Sequence, residues 1–160
     1  MISFDQILRW RGFQMGAAEA ALADFDRLSR AERAAWIEDK KRDIVQYHAT
    51  HNPFYGGIIK EAAHSEWSQL PIITKRDLQA PLETMLSSTF SRKDVYISNT
   101  SGSSGHPFFF AKDKLCHALT WSFILRKYKS LDIHLGDWQA RFYGIPLDKI
   151  SYTKEKVKDL

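Results

Sequence analysis

Residues 100 to 107 read TSGSSGHP, and this run limits the fold more than any other stretch of the chain. Its glycines take backbone angles closed to other residues, and Pro107 blocks a helix from following directly. On both sides the pattern is β-like. Val95-Tyr96-Ile97-Ser98 is a β-branched and aromatic run that reads as a strand, and Pro107 to Ala111 reads as a second. A short Ser/Gly loop clamped between two apolar strands is a poor linker, because linkers need reach. Two readings remain. One is an ordinary hairpin turn; the other is a loop whose successive N–H groups converge on an anion, with hydroxyls from Thr100, Ser101, Ser103 and Ser104. Gly102 and Gly105 lack the spacing of a Walker A loop, and no Gly-Lys-Ser/Thr follows them.

Upstream, to about Ala63, the spacing predicts helices. Phe4, Ile7 and Leu8 fall at helical intervals, Gly12 interrupts, and an Ala-rich segment runs to Leu28. Ser29 with Glu32 is a capping-box pair that opens a helix to about Thr50, with Ala34, Ile37, Ile44, Val45 and His48 roughly along one side. Asn52-Pro53 should stop it, and Gly56-Gly57 should make a flexible corner before a short segment from Ile58 to Ala63. Leu70 to Ile73 predicts an extended piece, and Thr74 with Asp77 another capped turn. Beyond the loop, Lys114 to about Leu131 is helical by the spacing of Leu115, Ala118, Leu119, Ser122, Leu125 and Tyr128. Ala140 to Ile145 reads as a third strand, ended by Pro146, and the last ten residues as the start of a further helix. The fold class expected is α/β, with a helical region over 1–68 and a partial α/β domain over 69–160.

An aromatic share of 13% argues against disorder. No apolar run approaches the length of a membrane helix, the first residues lack the marks of a signal peptide, and one cysteine cannot form an internal disulfide. A cytoplasmic location is the expectation. Lys and Arg exceed Asp and Glu by 23 to 19, but they are interleaved, as in Glu38-Asp39-Lys40-Lys41-Arg42-Asp43. Such mixing marks a solvated helix face rather than a polyanion track, so no nucleic-acid partner is expected. His48 and His51 have the spacing of two metal ligands, yet no second cluster joins them, and no metal site is assigned. Cys116 should be a small buried residue, with His117 facing another way. Phe108-Phe109-Phe110 should be a strand buried on both faces rather than an acyl-pocket lining, and Trp121 and Phe123 should be core.

TSGSSGHP resembles the phosphate-binding signature of adenylate-forming enzymes, a Ser/Thr/Gly-rich run ending Gly-x-Pro. Tyr47-His48 with Asn52-Pro53-Phe54-Tyr55, and Leu70-Pro71-Ile72-Ile73-Thr74-Lys75-Arg76-Asp77-Leu78, are similar to elements of the phenylacetate–CoA ligase-like branch, which includes CapK-type capsular polysaccharide proteins. The Trp10-Arg11 start also fits that branch, and His106 stands where many members carry lysine. The resemblance implies the large N-terminal domain of an adenylate-forming enzyme and a two-step ligase reaction. A small carboxylic acid would attack the α-phosphate of ATP, with Mg²⁺ offsetting charge, and the acyl group would pass to a thiol such as coenzyme A. Thr100, Ser101, Gly102, Ser103, Ser104 and Gly105 would bind the phosphates by this resemblance, and no catalytic residue is assigned. The family's ribose, adenine and magnesium contacts and its catalytic lysine lie beyond the matching segment. The expectation is therefore an N-terminal segment completed by the rest of the same enzyme or by a second subunit. The alternative is a non-catalytic nucleotide-binding or interaction module of the same descent.

Overall fold

The computed structural model describes residues 3–59, 67–100, 107–135 and 137. They are mostly helical, with a two-stranded antiparallel sheet, so the fold is mixed α/β. The chain divides into two compact units, residues 1–127 and residues 128–160.

Helix α1 (Phe4–Trp10) starts from a capping box at Ser3 and Gln6. Gly12, at φ 79°, turns the chain where a side chain would be strained, and Phe13 N–H returns to Leu8 C=O at 3.0 Å. Helix α2 (Met15–Arg27) follows. Helix α3 (Arg30–His51) opens on the expected Ser29–Glu32 box, in which the carboxylate accepts from the Ser29 N–H at 2.7 Å.

Asn52 ends α3, but Gly56-Gly57 is not the flexible corner expected. Both glycines lie inside helix α4 (Pro53–Ile59). Pro53 fits a first helical position because its missing N–H would have no partner there, and Asn52 Oδ1 accepts the Tyr55 N–H at 2.9 Å. The bend therefore falls at Asn52-Pro53. Residues 71–74 belong to no helix or strand, and Ile72 is exposed. Asp77 accepts from both the N–H and the hydroxyl of Thr74, at 2.8 and 2.6 Å, which closes the expected turn.

After the short helix α5 (Leu82–Met85), strands β1 (Val95–Asn99) and β2 (Phe109–Asp113) pair antiparallel, with Val95 opposite Asp113 and Asn99 opposite Phe109. Phe108-Phe109-Phe110 is not buried on both faces. Phe109 is 49% exposed and its neighbours are only partly buried. Burial on both faces needs a layer on each side, and the hairpin has no third strand among the described residues.

Helix α6 (Lys114–Ser130) turns Leu115, Ala118, Leu119 and Leu125 toward a cluster built on Leu8, Met15, Ala18 and Ala118. This cluster takes residues from both sides of position 68. Phe4 and Trp121 meet edge to face at 4.6 Å beside it. Cys116 and Phe123 fall off that helical stripe and are exposed, contrary to the core positions expected of them. His117 is buried, so it and Cys116 do face different ways. In the second unit, Leu131 and Ile133 N–H groups return to Tyr128 C=O at 3.0 Å, with Asp132 at φ 55°. The expected third strand, the final helix and loop residues Ser101 to His106 lie outside the described residues.

Candidate functional site

The base of the Ser/Gly loop is defined by Thr100 and Phe108. The Thr100 N–H donates to the Phe108 carbonyl at 2.9 Å, continuing the β1–β2 ladder one step beyond Asn99 and Phe109. The Phe108 N–H in turn donates to the Thr100 hydroxyl at 3.0 Å, and the Asn99 amide donates to the Thr100 carbonyl at 3.1 Å. Thr100 and Phe108 are therefore tied to each other by two bonds at the end of the hairpin. The Thr100 hydroxyl accepts in this arrangement, which leaves its own proton for a further acceptor. Of the six residues assigned to phosphate, Thr100 is described; Ser101, Gly102, Ser103, Ser104 and Gly105 are not.

Beside the hairpin lies a mainly apolar cavity of about 600 Å³, bordered by the α3–α4 corner, residues 78–90 and β2. Two of the three stretches singled out in the sequence line it, the first through Tyr47, His48, Asn52, Phe54 and Tyr55 and the second through Leu78, and Phe108, the residue after the Ser/Gly run, lines it as well. A smaller cavity of about 210 Å³ adjoins Leu78, Gln79, Ala80, Pro107 and Phe109.

The corner is tied by polar bonds. Asn52, 6% exposed, donates to the Met85 carbonyl at 2.9 Å while accepting from Tyr55. The Ser88 N–H donates to the His51 carbonyl at 2.6 Å, and the Tyr47 hydroxyl meets that of Thr89. His48 packs against Tyr55 at 5.2 Å. Its Nδ1 is buried without a partner, and burial pushes its pKa down, so the ring is held neutral. Cys116 borders the same cavity, and partial desolvation, aided by Asp113, pushes its thiol pKa up. That favours the thiol over the reactive thiolate.

The sequence reading missed the polar ties of Asn52 and the turn before β1. There Asp94 accepts from the Ser91 N–H at 2.9 Å and from its hydroxyl at 2.5 Å, which holds the carboxyl below its ordinary range. Its Ser-x-x-Asp spacing repeats that of Thr74 and Asp77, so the signal was present. Among the described residues no group of His, Cys, Asp and Glu is placed to hold a metal ion, and no helix is long and apolar enough to cross a membrane. No family model matches the chain, and neither curated proteins nor solved structures give a significant match.

Proposed function

We propose that the chain is the N-terminal part of an ATP-dependent carboxylate ligase of the phenylacetate–CoA ligase-like kind. In the reaction, a carboxylate oxygen attacks the α-phosphorus of ATP, the α–β phosphoanhydride bond breaks, and pyrophosphate leaves with the electron pair. The acyl-adenylate then passes its acyl group to a thiol, coenzyme A, with AMP as the leaving group. Mg²⁺ would offset the phosphate charge. The part given to this chain is electrostatic: the Thr100 hydroxyl and the N–H and O–H donors of Ser101 to Gly105 hold the phosphates and stabilise the departing pyrophosphate.

One observation carries the reading. Two stretches that resemble the family in sequence, one through Tyr47 to Tyr55 and the other through Leu78, border one cavity together with Phe108, the residue that ties the base of the Ser/Gly loop. A chance likeness in separate places would not require them to meet.

The test is ATP–pyrophosphate exchange by the complete gene product from its source cells, with a panel of small carboxylic acids. Ser103→Ala is the variant of choice, because Thr100 also closes the hairpin and its loss would confound binding with folding. Loss of one such donor should lower exchange by about 10²-fold. Exchange that needs a carboxylate and falls in the variant supports the ligase. Exchange unchanged in the variant removes the loop from the reaction, and nucleotide binding without exchange for any acid would favour the non-catalytic module.

A further inference from the structure

His117 on α6 is 7% exposed and lies against two other rings. Tyr96 of β1 is 4.0 Å away between centroids, tilted 30°, and Phe13 of the α1–α2 turn is 4.4 Å away, tilted 38°. One imidazole therefore joins three parts of the fold: the helix that carries it, the hairpin, and the turn between the first two helices. Its Nδ1 is buried and has no hydrogen-bond partner. The titratable and charged groups around it are Tyr96 and Lys112 from the hairpin and Arg11 from the turn. Lys112 stands opposite Tyr96 in the β1–β2 register, and the Arg11 guanidinium lies 6.0 Å from the Phe13 ring.

We propose that His117 is a proton-operated latch: the neutral ring holds the β1–β2 hairpin against α6 and the α1–α2 turn, and the imidazolium releases it. The proposal does not rest on the ligase reading, since it concerns how the hairpin is held and not what its loop binds.

Two effects of protonation oppose each other. A cation between aromatic faces gains about 0.5–2 kcal/mol from the ring quadrupoles. Against this stands the loss of hydration of a buried charge, which costs several kcal/mol after relaxation, with no acceptor at Nδ1 and two like charges nearby. The second effect wins. Burial first, then Lys112 and Arg11, push the His117 pKa down in the folded chain. The latched form thus binds a proton less readily than the released form. Its stabilising contribution is complete above the free imidazole value of about 6.5 and is lost as pH falls below it. A charged ring regains water most directly by parting from Tyr96 and Phe13, and Tyr96 is part of the hairpin. The Ser/Gly loop spans the two strands of that hairpin, so its mounting would loosen with the latch.

The test uses the complete chain and two readouts, the urea midpoint at about pH 7.5 and 5.5 and the NMR signals of the hairpin amides across that range. In the wild type the midpoint should fall on acidification, and the Val95 to Asn99 amides should shift in step with the His117 ring. His117→Phe keeps an aromatic ring between Tyr96 and Phe13 but takes up no proton. It should lose most of the acid-dependent drop, the remainder belonging to groups such as His48. Lys112→Gln removes a like charge without touching the ring, and it should raise the pH at which His117 titrates and reduce the drop. This second variant keeps the question answerable if His117→Phe does not fold. The same acid drop in His117→Phe as in the wild type would overturn the latch. So would hairpin amides that stay still while His117 titrates.

Discussion

Leu8, Met15, Ala18 and Ala118 close on one another, with Phe4, Leu119 and Trp121 packed around them, whereas Val45 and Leu82 stand beside a cavity of about 600 Å³. The first region is held by apolar side chains that interlock across α1, α2 and α6. The second is held at its edge by polar bonds, from Asn52 to Met85 and Tyr55 and from Ser88 to His51. The two solutions differ in what they demand of the sequence. Apolar closure needs only hydrophobic residues at helical intervals, and many choices satisfy it. A polar tie needs one donor and one acceptor at fixed places, and few substitutions keep it.

Truncating a side chain in each region should expose this difference most strongly. Met15 is 1% exposed within the closed cluster, so Met15→Ala should cost about 2–5 kcal/mol, the lost transfer energy plus a new void. Leu82→Ala enlarges a space that already opens beside the residue, so water can enter it, and its cost should stay below about 2 kcal/mol. Urea unfolding of the two variants measures the gap. Equal costs would mean that the region beside the cavity is as tightly packed as the cluster, and the contrast would fail.

The polar tie comes next in size. Asn52→Ala leaves the Met85 carbonyl and the Tyr55 N–H without their side-chain partner, and should cost about 1–3 kcal/mol. Asn52→Asp keeps the acceptor for Tyr55 and loses the donor to Met85, so it should fall between Asn52→Ala and the wild type. If Asn52→Ala shifts the urea midpoint no more than a surface change does, packing holds the corner and the amide is incidental.

What the sequence made legible follows the range of the interaction. The Ser29–Glu32 and Thr74–Asp77 bonds close over three residues, and both were readable as spacing. The face of α6 toward the cluster was readable for the same reason, since Leu115, Ala118, Leu119 and Leu125 repeat at helical intervals. Cys116 and Phe123 are core types by composition, but they fall off that stripe of the helix and are exposed, so position prevails over residue type. Asn52 was legible only in part. The proline beside it marks the end of α3, but its bond to Met85 spans 33 residues and leaves no local trace. At the candidate site the loop was visible as composition. That Thr100 ties to Phe108 depends on strand register, and that the α3–α4 corner, Leu78 and Phe108 border one cavity depends on the tertiary fold.

The smallest expected effect separates two adjacent glycines of α4, and it tests how closely the corner is packed. Gly57 has open space where a Cβ would stand, and Gly56 would place one 3.0 Å from the Ala49 carbonyl oxygen on α3. Alanine in a helix lowers the entropy lost on folding, so Gly57→Ala should stabilise the chain by roughly 0.5–1 kcal/mol. Gly56→Ala receives the same entropic benefit but must push α4 away from a backbone carbonyl, which cannot swing aside like the end of a flexible side chain. The net change at Gly56 should be destabilising, and the two variants should move the urea midpoint in opposite directions. Parallel gains at both positions would show slack between α3 and α4. The geometry that lets the Asn52 amide reach Met85 would then be loose as well, because the same close approach of α4 to α3 sets the angle at which the chain leaves Asn52.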